Sequence, residues 1–106
     1  MSFKPKVALS NDFLLQLAKL PAKVHTKVMK WAIQFQADPQ SPGINYENIN
    51  GARDPNLKSV RLDGDWRGIV FKPATGDVYV LLYVDHHDDA YRWAENRKLT
   101  INPVTG

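Results

Sequence analysis

The order of the apolar patterns predicts an α+β domain with an N-terminal strand, a helical hairpin, a three-stranded antiparallel meander and a C-terminal helix. The first observation is a helical spacing of apolar residues between positions 13 and 35, broken once by Pro21. The second is a set of three runs rich in β-branched and aromatic residues, at 57–62, 66–72 and 78–84. Consecutive strands that follow a pair of helices are typical of α+β domains rather than of α/β domains.

The N-terminal half predicts the strand and the hairpin. An apolar run at residues 7–9 precedes Ser-Asn-Asp at 10–12, which favours the start of a helix. Pro21 disfavours helix in the residue before it and suits the first turn of a new helix, so it separates two helices, of which the second reaches about Ala37. This second helix has one apolar side and one lysine-lined side, formed by Lys23, Lys27 and Lys30.

The middle of the chain predicts a loop. Residues 38–56 are polar and rich in Asn, Gly and Pro, and loops of this length are often functional. Ile44, Tyr46 and Ile49 are the candidates for side chains that anchor it.

The meander and the last helix complete the predicted domain. Short connectors rich in Gly and Asp join the three strand-like runs, as in antiparallel hairpins. Asp88 and Asp89 favour a helix N-terminus, so the last helix is predicted from Ala90 to Lys98. We therefore expect one domain over residues 1–98, followed by a tail or linker at 99–106.

The composition excludes several classes of protein. The chain has 106 residues, no cysteine and a formal net charge of +3, which excludes disulfides and thiolate metal sites and slightly favours a polyanionic partner. No apolar run approaches the ~20 residues that a membrane span needs. The N-terminus has no apolar segment of the signal-peptide type. We therefore expect a cytoplasmic protein that does not associate with membranes.

Several segments resemble the RelE/ParE toxin superfamily of bacterial toxin–antitoxin systems. They are the Leu20-Pro21 junction, the Asp38-Pro39 break, Ser59–Leu62 followed by Trp66–Phe71, and the strand end Asp85–Tyr91. Their order and spacing together are fairly specific. The resemblance extends over most of the chain and implies a RelE-like fold.

The resemblance implies a toxin of a type II toxin–antitoxin system. Such a toxin would cleave mRNA, free or bound to the ribosome, as an endoribonuclease that uses no metal and no other cofactor. A cognate antitoxin protein would neutralise it.

Two alternatives stay open. Some UvrD/Rep-type DNA helicases carry a similar RelE-like domain at the N-terminus, which implies a non-catalytic accessory domain that binds nucleic acid or protein and shares its polypeptide with a helicase. The present chain itself has no Walker A motif. ParE-like relatives act on DNA gyrase, which implies a gyrase inhibitor.

Arg61 and Arg67 are the first candidates for the site. A guanidinium group is a rigid fork that matches phosphate oxygens, so two of them on neighbouring strands would hold a scissile phosphodiester. The alternative is that they pair with Asp63, Asp65 or Asp85 and only stabilise the sheet.

His87 and Tyr91 follow the last strand, at positions that the family uses. Histidine transfers protons near neutral pH, so His87 would act as a general acid or base. Tyr91 would stack on a base or hydrogen-bond a phosphate. The alternatives are that His87 is merely solvated and that Tyr91 packs the last helix on the sheet.

Four lysines would contact the nucleic-acid backbone: Lys23, Lys27, Lys30 and Lys58. A solvated helix face explains the first three as well. Ser59 and His87 stand where the resemblance implies cations, so it predicts weak cleavage that increases as the pH falls towards the ordinary histidine pKa of ~6.5. A metal site at residues 86–89 is not expected, because adjacent residues of an extended strand point to opposite faces.

Overall fold

The computed structural model describes residues 6–75, 77–95 and 97. Within them the chain has the predicted α+β architecture. Its elements are β1 (Lys6–Leu9), α1 (Asn11–Lys19), α2 (Ala22–Ala37), β2 (Tyr46–Asn48), β3 (Leu57–Arg61), β4 (Trp66–Phe71), β5 (Val78–His86) and α3 (His87–Glu95). None of the described helices has the length and apolar character to span a membrane. The predicted boundary between residues 98 and 99 lies outside the described residues.

The described strands form a five-stranded sheet in the order β1-β5-β4-β3-β2. The antiparallel pairing of β3 with β4 and of β4 with β5 confirms the meander. β1 pairs with β5 in parallel, with Lys6 opposite Val78. Branched and aromatic side chains suit these strands because they pack well on a pleated, half-buried surface.

The prediction of a continuous loop over residues 38–56 is wrong, because Tyr46–Asn48 form β2 and pair antiparallel with β3. Three residues are too few to show the alternation that marks a strand, and this one forms because β3 offers it backbone partners. The predicted anchors are confirmed, since Ile44 and Ile49 are buried and Tyr46 is half-buried. The Tyr46 hydroxyl also donates a hydrogen bond to the carbonyl oxygen of Pro39, which ties the loop to the end of α2.

The helix boundaries confirm the predicted hairpin and correct the last helix. Ser10 caps α1, because its hydroxyl accepts a hydrogen bond from the backbone N–H of Phe13 at 3.0 Å. α1 and α2 are separated at Pro21, and α2 ends at Ala37 as predicted. α3, however, begins at His87, three residues before the predicted start. Two aspartates lie inside its first turn rather than before it, where the helix dipole favours them equally.

Each face of the sheet carries its own apolar core. The core under α1 and α2 includes Phe13, Val28, Trp31, Phe35, Leu81 and Val84. The core under α3 includes Leu57, Ile69, Leu82, Ala90 and Ala94. The register of β4 against β5 shifts after Ile69, so Leu82 and Tyr83 both pack on the α3 side.

Gly68 allows α2 to approach the sheet closely. A Cβ atom at this position would lie 2.8 Å and 3.0 Å from two carbons of the Trp31 six-membered ring. The indole therefore rests on the bare backbone of β4, and a larger residue would have to displace a buried aromatic side chain. At Gly64, in the turn before β4, a Cβ atom would have no neighbouring atom within 4 Å.

We predict that Gly68→Ala lowers the free energy of unfolding by about 1–3 kcal/mol, because overpacking forces the Trp31 ring away from β4. Urea denaturation followed by tryptophan fluorescence measures this change. Gly64→Ala is the matched control and leaves the stability within about 0.5 kcal/mol. Equal stability of the two variants would contradict the close packing of α2 on Gly68.

Candidate functional site

Arg67 is buried at the junction of the meander and α3. Its side chain is 7% exposed. Its Nε donates a hydrogen bond to the Tyr91 hydroxyl at 3.2 Å. Its Nη1 donates to the carbonyl oxygens of Asp63 at 2.8 Å, Gly64 at 3.3 Å and Trp66 at 3.0 Å. Arg67 thus ties the β3–β4 turn to the last helix.

The partners of Arg67 are neutral. No carboxylate in the described residues forms an ion pair with it. Asp85 lies opposite Arg67 in the register of β4 and β5, but its Oδ2 accepts hydrogen bonds from Gln16 at 3.2 Å and from the Tyr83 hydroxyl at 3.1 Å. Arg67 therefore stabilises the sheet, as the alternative prediction has it, but it contacts the backbone carbonyl of Asp63 and not a carboxylate. A buried guanidinium without a counter-ion leaves positive charge at this junction.

Arg61 differs from Arg67 in its surroundings. The two arginines are register partners on β3 and β4, so they leave the same face of the sheet. Arg61 is exposed, however, and lines an open cleft of about 580 Å³ next to α2. The two candidate phosphate ligands are thus paired across neighbouring strands, but only Arg61 is exposed to solvent.

His87 and Tyr91 lie one helical turn apart on α3, on the same side of the helix. The backbone N–H of His87 donates to the carbonyl oxygen of Asp65 at 2.8 Å, which joins the start of α3 to the β3–β4 turn. The His87 Nδ1 lies 2.8 Å from a carboxylate oxygen of Asp88. Arg67 therefore contacts Tyr91 directly, whereas His87 is joined to the same β3–β4 turn through its backbone N–H. The roles of these residues in chemistry stay predictions.

Ser59 occupies the β3 position where the resemblance implies a cation. It is 1% exposed, and its hydroxyl has no hydrogen-bond partner among the described residues. It lies opposite Ile69, in the register of the strand face that α3 covers. A charged side chain at this position would have no route to water that avoids the α3 core.

The nucleic-acid contacts of the four candidate lysines stay predictions. Lys23, Lys27 and Lys30 are exposed on α2. The Nζ of Lys27 lies 3.6 Å from a carboxylate oxygen of Asp63, so this lysine also supports the turn. Lys58 donates to the Asn48 side-chain oxygen at 2.5 Å, across the β2–β3 pair.

A stack of three side chains holds α3 to the sheet, and sequence analysis did not find it. The rings of Tyr83 and Trp93 are parallel within 3° with centroids 4.5 Å apart, and the Arg97 guanidinium lies 4.2 Å above Trp93. Burial, followed by the hydrogen bond to Asp85, raises the pKa of the Tyr83 hydroxyl. Trp93 thus packs α3 on the sheet. No local spacing could have shown it, because Tyr83 and Trp93 belong to different elements.

The two histidines at the end of β5 face different surroundings. The His86 ring packs on Trp66, with centroids 4.1 Å apart, whereas His87 contacts Asp88. Across residues 6–75, 77–95 and 97, no group of three His, Asp or Glu side chains is arranged to hold a metal ion.

Comparison with solved structures identifies the fold. A chain of the RelBE2 toxin–antitoxin complex from Mycobacterium tuberculosis has a TM-score of 0.60 at 20% identity, over 80% of this chain and 100% of that one. A chain of the E. coli DinJ-YafQ toxin–antitoxin complex has a TM-score of 0.61 at 14% identity, over 82% and 97%. A mutant of the E. coli toxin RelE in the free state has a TM-score of 0.58 at 13% identity, over 88% and 95%. No protein-family model and no curated protein matches the sequence.

These similarities first define the chain as a small α+β domain with the architecture found in toxin–antitoxin complexes. More particularly, the chain has the RelE-like toxin fold that the resemblance implied.

We predict opposite effects for two substitutions of Ser59. Ser59→Ala removes a buried hydroxyl without a partner and leaves stability unchanged or raises it by about 1 kcal/mol. Ser59→Lys buries a charge and lowers the free energy of unfolding by about 3 kcal/mol or more. Thr75→Lys, in an exposed turn, controls for the added charge and is expected to be neutral. Wild-type stability of Ser59→Lys in urea denaturation would show that the α3 side of β3 is open.

We predict that Asp63 contributes to acid sensitivity. Its carboxylate accepts hydrogen bonds from the backbone N–H of Asp65 at 2.9 Å and of Trp66 at 3.0 Å. The Asp65 hydrogen bond is the largest of the causes that, with Lys27, hold the pKa of Asp63 below its ordinary value of 3.8. Because the pKa is lower in the folded state, the stabilisation is complete above pH 3.8 and is lost as the pH falls through the folded-state value.

Thermal unfolding of Asp63→Asn across the acid range tests this expectation. The variant should be less stable than wild type at neutral pH, and the difference should shrink at the acid end. Asp77→Asn, just before β5, is the control for the loss of a carboxylate charge. A difference in stability that does not change with pH would contradict it.

Proposed function

We propose that this chain is the toxin of a toxin–antitoxin pair, that a cognate antitoxin protein binds it, and that it cleaves mRNA weakly and without a metal. The observation that carries the proposal is the likeness over nearly the whole of the compared chains, 95–100% of their length, at TM-scores near 0.6. Two of these solved structures are toxin–antitoxin complexes.

The site offers a limited set of groups for RNA cleavage. In such a reaction the 2′-hydroxyl attacks phosphorus and gives up its proton, while the bond to the 5′-oxygen breaks and that oxygen receives a proton. His87 is the group proposed for proton transfer, and Arg61 is the exposed cation proposed to bind the phosphate. Arg67 would act mainly by holding the Tyr91 hydroxyl and the β3–β4 turn in place. Since each lost cationic or hydrogen-bond donor costs about 10²–10³ in rate, the proposed activity is low.

A non-catalytic binding module is the second candidate, and the burial of Arg67 favours it. Two positions that the resemblance assigns to the basic site are closed to solvent, Arg67 at 7% exposure and Ser59 at 1%. A carboxylate, Asp85, also lies in register opposite Arg67. Such a surface suits an accessory domain that binds nucleic acid or protein, including one that shares a polypeptide with a helicase.

The test is cleavage of mRNA by the purified chain, with and without ribosomes, between about pH 5.5 and pH 8. We expect slow cleavage that increases towards acid pH. Arg61→Ala is expected to lower the rate by about 10²-fold or more, and His87→Ala to lower it by about 10²-fold and remove the pH dependence. Lys19→Ala, at the exposed end of α1, is the control for lost surface charge and keeps the wild-type rate.

The other functions give different results in the same set of assays. Absence of cleavage under all conditions, with RNA binding retained, would support the non-catalytic module. Inhibition of gyrase supercoiling without RNA cleavage would support the ParE-like alternative. Cleavage that is unchanged in both Arg61→Ala and His87→Ala would place the active site elsewhere.

A further inference from the structure

A pocket lies between the segment that follows α2 and the end of the sheet at which β4 stops and β5 starts. It has a volume of about 350 Å³. Small-molecule sites typically measure about 300–1,000 Å³, so this pocket has room for a small ligand. Its polar lining residues are Gln40, Ser41, Tyr46, Lys72 and Tyr79. Among the described residues, no aspartate or glutamate lines it.

The pocket is separate from the candidate functional site. Lys72 comes five positions after Arg67, just beyond the end of β4. An extended strand rises about 3.3 Å per residue, so the two backbone positions are roughly 17 Å apart. Tyr79 and Ile44 belong to the core under α1 and α2, whereas Arg67 contacts Tyr91 on the other face of the sheet. RNA cleavage at the candidate site therefore does not account for this pocket.

We propose that the pocket binds a phosphate monoester, with the phosphate group held by Lys72, Tyr79 and Ser41 and the attached organic group on the apolar wall. A free mononucleotide and the 5′-terminal phosphate of an RNA strand both carry this chemical group. The inference goes beyond the proposed function and does not depend on it.

Two hydroxyl groups in the pocket have a proton to donate and no acceptor for it among the described residues. Tyr79 is 5% exposed, and its hydroxyl accepts a hydrogen bond from Nε2 of Gln40 at 3.4 Å but donates none. The Ser41 hydroxyl accepts from the backbone N–H of Gly43 at 3.4 Å and likewise donates none. Because a buried donor without an acceptor is costly, these hydroxyls favour a ligand rich in acceptor oxygens.

Lys72 gives the pocket a positive charge. Its Nζ lies 4.9 Å from the centroid of the Tyr46 ring, and no carboxylate of the described residues forms an ion pair with it. Burial, followed by Tyr79 and Asp38, raises the pKa of Tyr46, so this phenol stays neutral. Asp38 is exposed, does not line the pocket and accepts a hydrogen bond from the backbone N–H of Gln40 at 3.0 Å. The charge of the lining therefore favours an anion, and lysine is a common ligand of phosphate.

The donors come from three separate segments of the chain. Ser41 lies before β2, Lys72 follows β4 and Tyr79 lies on β5. A phosphate group directs its oxygens to the corners of a tetrahedron, so it can accept from several sides at once. A carboxylate holds its two oxygens in one plane and satisfies such an arrangement less well. The geometry of the donors therefore favours phosphate over carboxylate.

The rest of the lining is apolar and exceeds what a bare phosphate ion would use. Ile44 is 6% exposed, and Pro42 and the ring of Tyr46 lie beside it in the pocket. An organic group attached to the phosphate would cover this surface and remove apolar area from water. A phosphate monoester therefore fits the pocket better than inorganic phosphate does.

The side-chain amide signals of Gln40 report on the pocket in solution, and Gln40→Ala assigns them by their loss. The ¹⁵N-labelled full chain is titrated with AMP, with adenosine and with inorganic phosphate. Two short RNA strands of the same sequence, one with a 5′-phosphate and one without, are titrated in parallel. Neither Arg61 nor His87 lines the pocket, so this readout is independent of cleavage.

We expect AMP to shift the Gln40 signals in a saturable way, with a Kd at least about tenfold lower than that of adenosine and about threefold lower than that of inorganic phosphate. Lys72→Met is expected to raise the Kd of AMP about tenfold, because it removes the cation. Tyr79→Phe keeps the ring, removes only the hydroxyl and is expected to raise the Kd about threefold. Lys19→Met, at the exposed end of α1, is the control for lost positive charge and leaves the Kd unchanged.

The inference is overturned by any of three results: no saturable shift of Gln40 with AMP, equal binding of adenosine, or an unchanged Kd in Lys72→Met. Binding of AMP without binding of either RNA supports the site and assigns it to a free nucleotide. Binding of the 5′-phosphorylated RNA with the affinity of AMP supports it and assigns it to RNA ends. Equal binding of both RNA strands would contradict recognition of a terminal phosphate.

Discussion

The hydrogen bonds of the Arg67 guanidinium are the interaction on which the rest of the site depends. One planar group reaches two carbonyl oxygens of the β3–β4 turn, one of its own strand and the hydroxyl of Tyr91. The turn in turn carries Asp63, which contacts Lys27 on α2, and Asp65, whose carbonyl oxygen binds the first turn of α3. Helices on both sides of the sheet therefore contact the same β3–β4 turn. The buried Arg67 guanidinium therefore holds the surrounding backbone in place, and its donors are not exposed to a ligand.

α3 is fixed by three different kinds of contact. Tyr91 is held by Arg67, Trp93 is stacked between Tyr83 and Arg97, and the fully buried Ala90 and Ala94 let the helix lie close to the sheet. These contacts are spread over the whole helix. A partner that covers the exposed cations leaves them intact, whereas a partner that displaces α3 must replace all of them.

Local signals in the sequence were sufficient for most of the fold. Pro21 marks the hairpin because its effect on the backbone is local, and the strands of the meander are long enough to show their composition. β2 was missed because a three-residue edge strand is defined by its partner and not by its own residues. The start of α3 was misplaced because Asp88 stabilises a helix from within the first turn as well as from before it.

The candidate site was harder to predict than the fold, for a physical reason. The sequence places Arg67 beside Arg61 on adjacent strands, and the register confirms that neighbourhood. Whether a guanidinium is exposed depends on which backbone carbonyls the turn directs towards it, and only the folded turn determines that. The stacking of Trp93 could not be predicted from local sequence either, because its partner Tyr83 lies on another element.

The parallel pairing of β1 with β5 bears on how the chain folds as it is made. Lys6 pairs with Val78, which lies far along the sequence. The N-terminal strand therefore has no partner until β5 has been synthesised. The helical hairpin is finished long before the sheet that buries it, and Phe13 and Trp31 stay uncovered during that interval. Closing so long a loop is entropically unfavourable and slows folding. The nascent chain therefore exposes apolar surface over most of its synthesis, a period in which a chaperone has a binding site that the finished domain lacks.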